Sequence, residues 1–197
     1  MGETRFFRCL CIVSLFALCG AATSQVCLPD DTSDDVVITF LRTARARNAS
    51  DSCIVNAIKR LQYVRSQKAI YILVQYLDFH PYAGMDEVVV TGSNSEPYPA
   101  VSSLFAIGKV ALPTLIRVVG RGGSTKTAQD NAIRTIMMIH RDHPAEGVSL
   151  LIMEARGSED AGRKASFNQA AISALRWCQG KDQKECESVL SSEGRDP

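Results

Sequence analysis

The chain has 197 residues, a formal net charge of +1, 46% hydrophobic residues and 22% charged residues. This length and composition are those of one folded domain, or of a short repeat array, with a sizeable hydrophobic core. A nearly neutral chain without a basic run lacks the electrostatic footprint of a nucleic-acid-binding protein. We therefore expect no nucleic-acid partner.

The N-terminus has the composition of an export signal. Arg5 and Arg8 form a basic start, residues 10–22 are an uninterrupted run of apolar and small residues, and small residues follow up to position 24. This run is too short to cross about 30 Å of hydrocarbon as a helix, so we predict that residues 1–24 are cleaved. The mature protein would then be secreted or periplasmic, without a membrane span. The alternatives are a retained anchor and a lipid anchor at Cys19.

Residues 25–49 are predicted to form a lead-in and one capping helix. Ser33 or Asp34 can cap a helix that runs to about Arg47. Its predicted apolar stripe consists of Val36, Val37, Phe40, Leu41 and Ala44. A repeat array needs such a cap, because its first repeat would otherwise expose an apolar face.

Four segments share one pattern: a small residue, an aliphatic residue, two unrestricted positions and a second aliphatic residue. They begin at Ala57, Ala100, Ala132 and Ala171, so successive copies are 43, 32 and 39 residues apart. A unit that recurs at this period is typical of a helical repeat array. A second apolar-periodic segment follows each copy. The predicted helix pairs cover about residues 50–78, 98–121, 125–156 and 159–191, and an insertion occupies residues 79–97.

Two stretches carry a more specific motif. Residues 107–116 read Ile-Gly-Lys-Val-Ala-Leu-Pro-Thr-Leu-Ile, and residues 130–134 read Asp-Asn-Ala-Ile-Arg. Gly108 is suited to end a helix in a left-handed conformation, and Pro113 is suited to the first turn of the next helix. Together they resemble HEAT-like repeats, including the type named after the phycobilisome lyases. The fold class that we predict is all-α: an α–α superhelix, a right-handed HEAT-like solenoid of about four helical hairpins in residues 50–193, after the N-terminal capping helix.

Four cysteines remain after the predicted signal: Cys27, Cys53, Cys178 and Cys186. An even number in an exported chain predicts disulfides, and three pairings are possible. Pairing each cysteine with its nearest neighbour in the sequence closes the shortest loops, and this local closure favours Cys27–Cys53 and Cys178–Cys186. The repeat alignment adds a reason for the second pair, because these two cysteines stand in columns that face each other across each hairpin. Two buried free thiols are the alternative.

Candidate catalytic and metal-binding clusters lack the spacing that their chemistry requires. The groups considered are Asp78, His80, Asp86 and Glu87 in the insertion, and His140, Asp142 and His143 in the turn of the third pair. The first group has one histidine and no cysteine pair nearby, and the second lies where helix caps are expected. No nucleophile–base pair is evident. We predict no catalytic residue, no metal and no cofactor.

The second helices of such arrays usually line the concave side. Their columns outside the core hold Tyr71, Gln75, Tyr76, Thr114, Arg117, Val118, Ser149 and Met153. Tyr, Arg and Met suit a protein contact surface. The candidate partner-binding residues are Tyr71, Gln75, Arg117 and Met153, together with Tyr82 and Tyr98 of the insertion.

These features predict a monomeric, non-enzymatic interaction or scaffold module that binds an unknown protein partner on its concave face and on the loop of residues 78–99. A long loop inside a compact array is often functional. The alternatives are a HEAT-like lyase or lyase-like enzyme that handles a chromophore, and a purely structural envelope protein. For the surface, the alternative is an ordinary solvated face, and for the loop it is an insertion packed by its own aromatic residues.

Overall fold

The computed structural model of the chain describes residues 27–81 and 97–193, and within these residues the secondary structure is entirely helical. The helices are α1 Asp34–Ala44, α2 Asp51–Leu61, α3 Gln67–Leu73, α4 Pro99–Ile107, α5 Leu112–Gly120, α6 Lys126–Ile139, α7 Pro144–Arg156, α8 Ala161–Ala174 and α9 Lys181–Glu193. Short 3-10 segments at Val74–Tyr76, Gly108–Ala111 and Leu175–Trp177 follow α3, α4 and α8. The all-α class is therefore confirmed. The predicted signal (residues 1–24) and most of the insertion, including Tyr82, lie outside the described residues.

The helices share one continuous hydrophobic core. Helix α1 packs on α2 and α3, and the first helices of successive pairs contact in order, α2 with α4, α4 with α6 and α6 with α8. Helix α5 contacts α6 and α8, while α7 contacts α8 and α9. The buried side chains of this core extend from Val37 in α1 to Cys186 in α9.

Helix boundaries follow from local chemistry. Thr125 caps α6 and Asp160 caps α8, each accepting a hydrogen bond from the backbone N–H three residues later. Gly108 ends α4 with a φ of 78°, which L-residues rarely adopt, and Pro113 lies in the first turn of α5. The helix end at Gly108 and the position of Pro113 are as predicted from the 107–116 motif, but the ψ of Gly108 is −148°, outside the left-handed α-helical region that was predicted.

One described stretch, Pro99–Gly120, is long and apolar enough by composition to cross a membrane, and half of its most apolar 18-residue window is buried among the other helices. It consists of α4, the 3-10 segment that starts at Gly108, and α5. Leu104 and Leu115, one from each helix, have no exposed surface. Packing between helices therefore accounts for the apolar composition of this stretch.

The repeated alanines are core residues in all four copies. Ala57, Ala100, Ala132 and Ala171 are at most 3% exposed, because a small side chain lets neighbouring helices approach closely. The aliphatic position that follows is buried in the first three copies, but Ile172 in the fourth copy is 53% exposed. No further helix pair follows α8 and α9 in the described part of the chain to cover it.

One position of the pattern that looks unrestricted in the sequence is also buried. Ser103, Thr135 and Ala174 occupy this position in the last three copies, and each is at most 1% exposed. The second unrestricted position of the pattern is thus restricted to small side chains in these three copies.

The predicted stripe of α1 is wrong at one position, and the helix ends earlier than predicted, at Ala44 instead of about Arg47. Val36 is 47% exposed, whereas Ile38 is 3% exposed. Because α1 contacts both α2 and α3, its buried face is turned toward Ile38 relative to the stripe that its sequence suggests.

Both disulfides join the pairs that local closure favours. The Cα atoms of Cys27 and Cys53 are 5.0 Å apart, and those of Cys178 and Cys186 are 6.5 Å apart. The first bond ties the N-terminal lead-in to α2, and the second ties the end of the α8 segment to α9. Disulfides persist in oxidising compartments, so these bonds indicate such an environment for the folded chain.

We predict that replacing both residues of the Cys27–Cys53 pair with alanine lowers the free energy of unfolding by about 3.5 kcal/mol. The same change at Cys178–Cys186 should lower it by about 2.5 kcal/mol, because the shorter loop restricts the unfolded chain less. The sequence separations are 26 and 8 residues. Urea unfolding of the two double variants measures both losses. An equal or reversed order would show that native contacts, and not loop closure, set the two contributions.

Buried polar side chains connect helices that are distant in sequence. The Ser103 hydroxyl donates a hydrogen bond to the carbonyl oxygen of Ile58 over 3.1 Å, which joins α4 to α2. The Asn131 side chain on α6 donates to the carbonyl oxygen of Leu77 over 2.7 Å, at the end of the first helix pair. A buried polar group is costly without a partner, so these bonds fix how the helices are placed along one another.

The Asn131 bond yields a second stability prediction. Asn131→Ala should lower the free energy of unfolding by about 1–3 kcal/mol. The substitution removes a buried donor, so the Leu77 carbonyl oxygen loses the hydrogen bond that it accepts from Asn131. Asn56→Ala is the matched control, because Asn56 also precedes a repeat alanine but is exposed. We expect a loss below about 0.5 kcal/mol there. Equal losses at the two positions in urea unfolding would contradict this role for Asn131.

Candidate interaction site

Two of the predicted binding residues, from different helix pairs, are in contact. Tyr71 on α3 is 46% exposed, and its hydroxyl accepts a hydrogen bond from the guanidinium of Arg117 on α5. The Arg117 Cζ atom also lies 5.3 Å from the centroid of the Tyr71 ring. The contact holds two long side chains in one arrangement at the surface, so less conformational entropy is lost when either binds a partner.

A groove beside Arg117 separates α5 from α7 and has a volume of about 500 Å³. Its apolar lining residues are Leu112, Pro113 and Ile116 from α5 and Leu150 from α7. Its charged lining residues are Lys109, Arg117, Glu154 and Arg163. An apolar floor with a few charged groups around it is the usual composition of a binding site on a protein surface.

The charges in this groove do not cancel. Arg163 on α8 contacts Glu154 on α7 at 3.5 Å, and its guanidinium also lies 5.4 Å from the centroid of the Phe167 ring. With three cationic lining residues and one carboxylate, the groove carries a net charge of +2. Lys109 and Arg117 supply the excess positive charge.

A second hollow of about 530 Å³ adjoins the groove and shares Glu154 and Arg163 with it. It is lined by Met153, Glu154, Gly157, Ser158, Glu159, Asp160 and Arg163. Met153, another predicted binding residue, is 55% exposed at its edge. Tyr71, Arg117 and Met153 therefore lie along one stretch of surface that crosses α3, α5 and α7.

The other predicted binding residues are distributed differently. Gln75 is exposed on the Val74–Tyr76 turn that follows α3. Tyr98 is half-buried at the start of α4, and its ring centroid lies 5.1 Å from that of His80. This contact joins the two ends of the insertion. Tyr82 lies outside the described residues.

Four residues that line the groove were not predicted from the sequence: Lys109, Leu150, Glu154 and Arg163. Lys109, Pro113 and Arg117 are spaced four positions apart, which places them on one helical face, and that signal could have identified Lys109. Leu150 has no such signal, because it lies one position outside the predicted core column. Arg163 reaches the groove only because α8 packs against α5 and α7.

The clusters that the sequence raised as metal sites have other contacts. The Asp78 carboxylate accepts hydrogen bonds from Arg45 at 2.8 Å and from the Thr125 hydroxyl at 3.2 Å. His140 Nδ1 lies 3.3 Å from a carboxylate oxygen of Glu146. Within residues 27–81 and 97–193, no three His, Cys, Asp or Glu side chains are grouped as metal ligands would be. Asp86 and Glu87 lie outside the described residues.

The fold and site together define an all-α, disulfide-bonded protein with a cationic, apolar-floored surface groove. The chain has no significant match among protein-family models, curated proteins or solved structures.

Two residues predicted for the inner surface are instead buried. Thr114 is 3% exposed and Tyr76 is 2% exposed. The Tyr76 hydroxyl donates a hydrogen bond of 2.5 Å to the carbonyl oxygen of Leu41, and the Arg45 guanidinium lies 4.7 Å from its ring centroid. Tyr76 thus holds α1 against the first helix pair. The 3-10 geometry after α3 shifts Tyr76 from the surface column into the core, because three residues per turn replace 3.6.

Burial raises the pKa of Tyr76 above its ordinary value of 10.0, and the charge of Arg45 partly opposes this shift. A pKa that is higher in the folded state means that this residue stabilises the fold fully below about pH 10, and that the contribution is lost as pH rises through the folded-state value. Tyr76→Phe cannot ionise, and it lacks the hydrogen bond to Leu41.

We therefore predict that Tyr76→Phe is less stable than the wild type by about 1 kcal/mol at neutral pH, and that this difference shrinks above about pH 10. Urea unfolding of both proteins across the range from neutral to alkaline pH measures the difference. Tyr63→Phe is the control, because Tyr63 is 81% exposed. A difference between wild type and Tyr76→Phe that stays constant with pH would contradict the prediction.

Proposed function

We propose that the protein is an exported, non-enzymatic interaction module, in which α1 caps a HEAT-like solenoid of four helix pairs and a protein partner binds the face formed by α3, α5 and α7. The observation that carries this proposal is the Tyr71–Arg117 contact at the side of the groove between α5 and α7. It brings together binding candidates that are distant in the sequence and belong to different repeats.

Three features support the solenoid arrangement. The pairs α2 and α3, α4 and α5, α6 and α7, and α8 and α9 correspond to the four predicted repeats. The first helices of these pairs contact in succession, as in a stacked array. Ile172 belongs to the last described pair and is 53% exposed, as expected for a repeat position that no other described helix covers.

Export is supported by two independent observations. The two disulfides need an oxidising compartment to form and persist. Residues 1–24 have the basic start, short apolar run and small residues of a cleavable signal, which would direct the chain to such a compartment. Together these two features support a secreted or periplasmic location.

The chemistry of the α3–α5–α7 face supports binding to a protein. Tyr, Arg and Met are enriched at protein interfaces, and Tyr71, Arg117 and Met153 are all exposed here. Tyrosine and arginine also dominate the residues that contribute most to binding energy. Because these side chains project from helices, the surface is held rigidly and does not depend on a loop for its shape.

A photo-crosslinking amino acid in place of Gln75 or Met153 tests the proposal in the exported fraction of the native host. We expect a discrete protein adduct at both positions. Replacing Tyr71 and Arg117 together with alanine should reduce its yield by about tenfold or more, because residues of this type commonly dominate binding energy.

The matched controls carry the crosslinker at Lys59 and Ala106, which are exposed on the first helices α2 and α4. These positions should give no discrete adduct. Adducts of equal yield at all four positions, or none at Gln75 and Met153, would show that the α3–α5–α7 face is an ordinary solvated surface.

A further inference from the structure

We infer that the groove between α5 and α7 takes an extended acidic segment of the partner protein, in which two acidic residues four positions apart flank one apolar residue in the middle. This inference rests on the proposed function and adds the chemistry of the partner. Three properties of the groove carry it: its unbalanced positive charge, the spacing of its cations and its apolar floor.

The charge balance selects an acidic partner. Arg163 is matched by Glu154 within the groove. Within the described residues, neither Lys109 nor Arg117 forms an ion pair with a carboxylate, and Arg117 bonds only the neutral Tyr71 hydroxyl. A carboxylate that binds these two cations forms charge-assisted hydrogen bonds, which are stronger than those of neutral groups. A basic segment would be repelled by the same side chains.

The spacing of the two cations fits an extended chain. Lys109 and Arg117 are eight positions apart along the 3-10 segment Gly108–Ala111 and α5, which corresponds to about 13 Å with the rise per residue of each helix type. An extended chain covers about 13 Å in four residues. Side chains at positions one, three and five of such a chain point to the same side, so the first and fifth can reach the cations together.

The apolar floor of the groove is the reason for the apolar residue in the middle of the partner segment. Leu112, Pro113 and Ile116 lie between the two cations in the chain, and Leu150 faces them from α7. Leu112 and Leu150 are half-buried, so both retain apolar surface that water contacts. An aliphatic side chain at the third position would cover that surface, and its burial would add to the affinity.

The neighbouring hollow limits the length of the acidic segment. Beyond Glu154 and Arg163 its lining includes Glu159 and Asp160, and the Asp160 carboxylate already accepts a hydrogen bond from the backbone N–H of Arg163. A further acidic residue placed over this region would meet like charge. The favourable acidic stretch is therefore short and lies over α5.

The test uses synthetic peptides and the disulfide-bonded protein. Fluorescein-labelled Glu-Thr-Leu-Thr-Glu is titrated with the protein and followed by fluorescence anisotropy. We expect saturable binding that weakens as salt increases, and a Kd at least about tenfold higher for Gln-Thr-Leu-Thr-Gln. Replacing the central leucine with threonine should raise the Kd severalfold.

Protein variants then place the binding in the groove. Lys109→Glu combined with Arg117→Glu should abolish binding of the glutamate peptide and create binding of Lys-Thr-Leu-Thr-Lys. The matched control combines Arg42→Glu with Lys59→Glu, which reverses two exposed cations on α1 and α2, and should bind the glutamate peptide as the wild type does. Circular dichroism and urea unfolding establish that each variant is folded. The gain of binding by the charge-reversed variant cannot result from misfolding.

The inference is overturned if the glutamate and glutamine peptides bind equally, if neither binds, or if the charge-reversed variant does not bind the lysine peptide.

A parallel experiment measures binding of the protein to vesicles of phosphatidylcholine with and without phosphatidylglycerol. Binding to the anionic vesicles without binding to the peptide would assign the groove to a membrane surface and would also overturn the inference. If the glutamate peptide does not bind while the photo-crosslinked adducts at Gln75 and Met153 still form, only the inference of an acidic partner segment is wrong. Loss of the adducts would refute the proposed function itself.

Discussion

The structure depends on the fact that no helix pair of this chain can bury its apolar surface by itself. The small and aliphatic columns of one pair leave water only when they pack on the next pair, so the core is continuous from α1 to α9. Alanine at the repeated position is what permits this, because it lets the first helices approach closely; Ala100 and Ala132 have no exposed surface. Ile172 shows the consequence at the last pair, where an equivalent aliphatic side chain stays 53% exposed.

Apolar packing is not directional, so it leaves open how far one helix is displaced along its neighbour. Buried hydrogen bonds supply this information. Tyr76 fixes α1 through the Leu41 carbonyl, Ser103 fixes α4 against α2, and Asn131 fixes α6 against the end of the first pair. The two disulfides act at the two ends of the described core, where they tie the N-terminal lead-in to α2 and the end of the α8 segment to α9. The result is a framework rigid enough to hold Tyr71 against Arg117.

The groove is a consequence of that framework. Helices α5 and α7 leave a space between them, and side chains from α5, α7 and α8 line it. The Glu154–Arg163 contact balances one cation, while Lys109 and Arg117 have no carboxylate partner among the described residues. A surface that combines unbalanced charge with an apolar floor gains binding energy from two sources at once, and the charge also selects among partners. This local imbalance is the basis for the acidic-segment inference, whereas the Tyr71–Arg117 contact beside the groove is the basis for the interaction proposal.

The sequence by itself determined the helical class, the pattern of buried columns and the Gly108 and Pro113 boundary, because these follow from periodicity and from the backbone preferences of single residues. Local closure and the facing columns also indicated which cysteines join. Tertiary structure decided the rest. It placed Tyr76 and Thr114 in the core instead of on the surface, replaced Val36 with Ile38 on the buried face of α1, and assembled Lys109, Leu150 and Arg163 into one groove. Those outcomes depend on how helices distant in the sequence pack together. The periodicity of apolar residues along the chain shows which face of a helix is buried, but it does not show which other helix covers that face.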